Sequence, residues 1–211
     1  MAFHAAAYDV ARAPLERWKL ADARARVLAG ASGRVLEVGA GTGANLRWYP
    51  SAVDHVDLCE PDPDMRRRLE RRLDGGRWAF STAVHGAAAG GPFPADAYDT
   101  VVTTMVMCTV PDPAAAAAAL RAVLADDGRV LYLEHVHAGG LRGRLQSLVT
   151  PPWARVARGC HLDRPATAAL RGAGLVPVEQ RWLRLPPPLF LAVEGAAIIR
   201  VRPDPTAGAH Q

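Results

Sequence analysis

The chain has 211 residues, half of them hydrophobic, enough for one substantial core and too few for two ordinary domains with a linker. No run approaches the roughly 18 consecutive apolar residues of a membrane span, and the first residues lack a signal-peptide pattern, so a soluble, cytoplasmic protein is expected. The formal charge of +4 rests on 25 basic residues among which Lys19 is the only lysine, a bias that reads as GC-rich coding and not as a nucleic-acid surface. In chain order, Pro14 can open a helix through Leu15, Trp18, Ala25 and Leu28 up to Gly30, and a first strand covers 34–38. A helix is expected after the glycines, ending by Pro50. A second strand covers 53–59. Asp62 with Pro63 then caps a helix whose arginines face solvent around Leu69 and Leu73, ending at Gly75 and Gly76.

A third strand falls near 78–84 and a fourth at 98–104. Asp112 with Pro113 repeats the cap before an alanine-rich helix. Asp127 and Gly128 turn into a fifth strand at 129–136. Beyond the glycines at 139–143 a helix runs through Leu145, Leu148 and Trp153, with a kink or break expected at Pro151 and Pro152. Asp163 should cap a further helix to about Ala173, and strands at 176–185 and 189–200 close the sequence. Alternating strands and helices followed by a strand pair imply an α/β fold with a doubly wound, mostly parallel sheet, whose ligands bind at the carboxyl ends of the strands.

The deciding stretch is EVGAGTG at 37–43. Gly39, Gly41 and Ala44 make an acceptable dinucleotide fingerprint, with Glu60 placed for a ribose. Glu37 argues against it, because a carboxylate at the mouth of the loop opposes a pyrophosphate. It favours a cationic cofactor such as S-adenosylmethionine, which carries a sulfonium and an ammonium and no phosphate. Gly43 completes the tighter G-x-G-x-G spacing, and the glycines are expected to clear space for close backbone approach.

EVGAGTG resembles the first motif of class I S-adenosylmethionine-dependent methyltransferases. CEP at 59–61, the region 92–113 and LADDGRVLYLEH at 124–135 resemble three further elements of that family, in the same order. The resemblance implies a Rossmann-like, seven-stranded sheet with helices on both faces and an antiparallel last strand. It also implies a helical lid over residues 1–30, a catalytic domain over 31–202 and a flexible tail over 203–211. GTGANLRWY, LCEPD, MCTV, LEHV and GCHLDR are similar to a branch of small-molecule enzymes that includes the thiol methyltransferase-like proteins of animals, with the ubiquinone and menaquinone C-methyltransferases as more distant neighbours. The animal proteins carry a membrane-associating N-terminal segment; the first nine residues here are too short for one, so integral membrane association is not expected.

The family pattern implies that the cofactor meets Glu37, Gly39, Ala40, Gly41, Gly43 and Asn45 at the first loop. It implies Glu60, Pro61 and Met65 after the second strand, where the acid takes the ribose hydroxyls, and Thr104 and Met105 after the fourth. Where relatives place an Asp for the adenine amino group this chain has Ala87, so backbone at Ala87 and Ala88 must serve. Methyl transfer is an in-line displacement that needs alignment more than acid or base. His135 is the candidate base or substrate partner, with His161 the second candidate in the covering segment and His137 exposed. Cys108 and Cys160 fall where substrate is expected, although small buried hydrophobes are their ordinary role, and Tyr8 and Trp18 belong to the lid. The cysteines are widely spaced, and no metal is expected. A small-molecule acceptor follows, either a thiol or, as alternatives, a quinone or phenol methylated at carbon or oxygen; a silent cofactor-binding partner protein is the remaining option. Methyl transfer to the amino groups of nucleobases is disfavoured by TTMVM at 103–107.

Overall fold

The computed structural model describes residues 20–88, 90–157, 159–185 and 191–199. Helix α1 (Ala21–Leu28) leads into β1 (Gly33–Val38), and a single 3-10 turn (Leu46–Trp48) precedes β2 (Val53–Cys59). Then follow α2 (Pro63–Asp74), β3 (Ser81–His85), β4 (Tyr98–Thr104), α3 (Pro113–Val123) and β5 (Leu124–His135). Helix α4 (Gly140–Val156), helix α5 (Ala166–Gly172), β6 (Leu175–Arg184) and β7 (Leu191–Ile199) complete the order. The seven strands form one sheet, β3-β2-β1-β4-β5-β7-β6. It is parallel through β5, and β7 runs antiparallel between β5 and β6. This is the Rossmann-like methyltransferase arrangement expected from the sequence.

Alternation along the central strands feeds two cores. Leu36, Val101, Val130 and Tyr132 pack toward α3 and α5, while Val35, Val102 and Leu131 face α1, the 3-10 turn and α2. Asp62 and Asp112 act as written, each accepting two N–H groups of the helix it caps. The sheet order reverses between β1 and β4, and it is at the strands' carboxyl ends beside such a reversal that sheets of this kind bind ligands.

Four local expectations change. The helix after the glycines is reduced to one turn, because Gly39, Gly41 and Gly43 take positive φ (67°, 59° and 82°) and use up the residues a first helical turn needs. Strand β5 starts at Leu124, and Asp127 and Gly128 are absorbed in a register shift against β4. Helix α4 continues through Pro151 and Pro152, forgoing two backbone donors; Thr150 Oγ1 donates to the Gln146 carbonyl beside the gap at 2.8 Å. Asp163 does not cap α5: the helix begins after Pro165, which is paired with Val136, so the acid stands too far upstream. Among the described residues no helix is long and apolar enough to cross a membrane.

Candidate active site

The first loop follows β1 at this end of the sheet, and its three glycines do different things. A Cβ on Gly39 would sit 2.5 Å from Val106 Cγ2, and one on Gly43 2.8 Å from Leu46 Cδ1. Both therefore make room for the chain's own side chains, where the sequence predicted room for a ligand. Gly41 is the open position: a Cβ there would meet Met65 Sδ at 3.7 Å and nothing closer. Its N–H donates to Glu60 Oε2 at 2.8 Å, and the Asp62 N–H donates to Glu60 Oε1 at 2.9 Å. Gly41, Glu60 and Met65 are thus brought to one wall, with Ala40 buried behind them and Pro61 exposed at the rim.

Glu37 does not stand at the mouth. Its carboxylate is enclosed, with Asn45 Nδ2 donating to Oε1 at 2.9 Å and Tyr49 Oη donating to Oε2 at 2.7 Å. Arg24 Nη1 donates to Asn45 Oδ1 at 2.6 Å and to Thr104 Oγ1 at 2.8 Å, so a buried cation from α1 joins β1, the loop and β4. Asn45 and Thr104, both assigned to the cofactor from sequence, spend these groups holding the loop onto the sheet. Arg24 and Tyr49 were missed, because nothing local marks a residue whose partners lie on other elements.

Burial pushes the Glu37 carboxyl up to about 7, against the hydrogen bonds from Tyr49 and Asn45 and the charge of Arg24. A folded value above the ordinary 4.5 means that the native state holds this proton more tightly than the unfolded chain. Its contribution to stability is full below 4.5 and is lost as pH rises toward about 7. Melting of the cofactor-free protein should therefore show Tm falling across that window, and Glu37→Gln should flatten the fall.

On the acceptor side, Met105 closes β4 with φ 60°, an uncommon conformation for a side chain of its size, and donates its N–H to the Leu133 carbonyl at 2.7 Å. Glu134, fully buried at the end of β5, accepts the N–H groups of Val106 (3.0 Å) and Met107 (3.1 Å). Burial pushes its carboxyl up to about 7 against those bonds. Gln146 pins the segment after β5, accepting from Ala138 N–H at 2.7 Å and donating to the Val136 carbonyl at 3.2 Å.

His135 lies between these anchors. Its Nδ1 is 3.4 Å from Cys160 Sγ, which is 3.6 Å from Cys108 Sγ, and all three residues are buried. The Cys108 thiol favours the thiolate at Cys160, as do the His135 ring and Trp153, while burial opposes it. The two cysteines are therefore more than isolated apolar fillers: they meet. His161 is half-buried outside this trio, and its N–H binds the Cys108 carbonyl at 2.8 Å. His137 is exposed, as expected. Ala87 and Ala88 lie in the loop after β3, where the Ala88 carbonyl accepts from Gly91 N–H at 2.9 Å. Tyr8 and Trp18 lie outside the described residues.

A model of the family described as a methyltransferase domain matches residues 13–180. The chain belongs to this methyltransferase family. The methyltransferase is 32% identical to human thiol S-methyltransferase TMT1B over 168 residues, which is 77% of this chain and 68% of that protein. Against human thiol S-methyltransferase TMT1A it is 30% identical over 164 residues, 75% of this chain and 67% of the relative. It thus spans about two thirds of the length of these relatives. Among solved structures, YcgJ of Bacillus subtilis superposes with a TM-score of 0.68 at 15% identity, covering 86% of this chain and 99% of that one. A geranyl diphosphate methyltransferase in complex with S-adenosylmethionine gives 0.68 at 16%, covering 88% and 87%; these likenesses carry the fold. The methyltransferase uses S-adenosylmethionine as its methyl donor.

Proposed function

We propose that the methyltransferase transfers the methyl group of S-adenosylmethionine to the sulfur of a small thiol. The observation that carries this reading is the 32% identity to a thiol S-methyltransferase over 77% of the chain. The geometry supports it. Glu60 is the ribose acceptor, an acid just past the end of β2 whose carboxylate lies against Gly41 of the first loop. Gly41 lets the cofactor press against the loop, with Met65 beside it. The sulfonium then points toward the ends of β4 and β5, where Met105, Leu133 and Leu162 supply an apolar wall around Cys108, His135 and Cys160.

In this reaction the acceptor sulfur attacks the methyl carbon in line, the sulfonium S–CH3 bond breaks, and its electron pair stays on the departing sulfur of S-adenosylhomocysteine. Holding the two reactants aligned supplies up to roughly 7–11 kcal/mol of the barrier. A free thiol of pKa about 8.5 also has to lose its proton, which costs about 2 kcal/mol at neutral pH. Incubation with methyl-deuterated cofactor and a panel of thiols, quinones and phenols, read by mass spectrometry, tests the assignment. Labelled methyl thioethers are expected; label confined to quinone carbon or phenol oxygen would overturn it.

A further inference from the structure

We propose that Cys108, His135 and Cys160 form a three-ligand site for a zinc-type divalent cation, and that its fourth position takes the acceptor thiol as a thiolate. The second half of this statement rests on the thiol reading above; the first does not. Among the described residues these three are the one set of potential ligands whose donor atoms converge, all lying within 4.8 Å of one another.

The spacing fits the ion. Tetrahedral zinc with ordinary Zn–S and Zn–N bonds sets its sulfurs about 3.8 Å apart and a sulfur and nitrogen about 3.5 Å apart. The separations here are 3.6 Å between the two Sγ atoms and 3.4 Å from Cys160 Sγ to His135 Nδ1. Two thiolates and one imidazole form a donor set that soft and borderline cations prefer over magnesium or calcium. Three protein ligands with a fourth position left open are also the pattern of catalytic zinc, and closed structural sites use four.

The surroundings call for such an occupant. Trp153 Nε1 is a buried polar atom without a hydrogen-bond partner, next to the thiols in an apolar cluster with Leu133 and Leu162. Buried unpartnered donors are costly, and thiolates held by a cation would offer the indole an acceptor. With the proton on Nε2, the ring directs its lone pair from Nδ1 to the ion. The ligands are also firmly placed: Cys108 follows the turn fastened by Glu134, His135 follows Glu134 itself, and the His161 N–H ties the Cys160 segment to the Cys108 carbonyl. In this arrangement His135 is a ligand, and the base expected from sequence is unnecessary.

The step balances. The acceptor R–SH binds the cation as RS⁻ and releases its proton to solvent, because a coordinated thiol is deprotonated outright. Its sulfur forms the new C–S bond to the donor methyl as the sulfonium C–S bond breaks, giving neutral S-adenosylhomocysteine and a neutral thioether. A thioether is a weaker ligand than a thiolate, so the product leaves.

The test uses the full chain, reduced, freed of metal with a chelator, and titrated with Co(II). One equivalent should bind, giving thiolate-to-cobalt charge-transfer absorption in the near ultraviolet and the intense visible bands of a four-coordinate ion, both removed by Zn(II). Cys108→Ser and Cys160→Ser should each lose about half of the charge-transfer intensity and weaken cobalt binding by about 100-fold or more. Cys59→Ala, with its thiol in the core at the end of β2, should change neither. Retained S-adenosylhomocysteine binding by calorimetry shows that the serine variants are folded; should either fail to fold, Cys160→Ala and His135→Asn replace it. A small thiol should shift the cobalt bands and a phenol should not. Absence of charge-transfer absorption with all three thiols shown to be reduced, or undiminished absorption in both serine variants, would overturn the site. Thiol methylation by a chain that binds no cobalt sinks the metal site alone; cobalt binding without thiol methylation sinks the acceptor assignment and leaves the site standing.

Discussion

Gly41→Ala should weaken cofactor binding by up to roughly 100-fold while leaving the fold intact, and Gly39→Ala should damage the fold itself. Both residues sit at positive φ, where an L side chain costs about 1–2 kcal/mol. They differ in what the new methyl group meets. At position 41 the nearest atom is a flexible thioether sulfur at 3.7 Å, so the protein adds only the backbone penalty. The methyl then occupies the space in which the donor must lie against the loop. Overpacking of that kind costs about 1–3 kcal/mol, up to roughly 100-fold in affinity. At position 39 the methyl collides at 2.5 Å with Val106, a buried β-branched side chain whose restricted χ1 leaves little room to take up the clash. Backbone strain and overpacking together reach about 2–5 kcal/mol, a large share of an ordinary domain's 5–15. Calorimetry with S-adenosylhomocysteine and urea unfolding on both variants separate the two effects. Equal loss of stability at both positions would show that Gly41 too serves packing and not the ligand.

Those glycines mark where sequence reading is strong and where it ends. Strands β2 and β4 have the same limits in sequence and structure, since each is a short run rich in Val, Thr and other strand-favouring residues. The caps at Asp62 and Asp112 were legible for the same reason: donor, proline and helix are neighbours in the chain. The motif at 37–43 located the loop, but not which glycine faces outward, because Val106 comes from the turn after β4 and Leu69 from α2. Glu37 was legible as an important acid, expected at the mouth of the loop and found enclosed; Arg24 and Tyr49, which surround it, arrive from either side of the motif. The trio at the acceptor end was the least legible of all. Cys108 and Cys160 are 52 positions apart and His135 lies 25 from Cys160, with a whole helix intervening, so no spacing rule could join them. They meet because β4 and β5 are parallel neighbours and α4 returns the chain to the same sheet edge.

Glu134→Ala should be the most damaging single substitution on the acceptor side. Strand β4 ends at Thr104, and the turn that follows carries the buried N–H groups of Val106 and Met107 into a region where only the Glu134 carboxylate receives them. A buried donor left without a partner costs about 1–3 kcal/mol, so losing both costs about 2–6. The turn would have to open to water to recover the bonds, and Cys108, one residue further on, would move with it. Glu134→Gln discriminates this account from a general effect of altering a buried acid. An amide oxygen placed where Oε2 stands is 3.0 Å from the Val106 nitrogen and 3.1 Å from that of Met107, so it keeps both bonds. The amide nitrogen would then face the Val106 N–H from the Oε1 position, a mild repulsion between donors. Loss of stability near 1 kcal/mol is expected for the Gln variant, several times less than for Ala. Cofactor affinity should survive in both, because Gly41 and Glu60 lie in the segments that follow β1 and β2, while methyl transfer should fall steeply in Ala and modestly in Gln. Urea unfolding, S-adenosylhomocysteine calorimetry and turnover on the best thiol acceptor measure the three quantities. Equal destabilisation by Ala and Gln would mean that charge at residue 134, and not its hold on the turn, is what the fold requires.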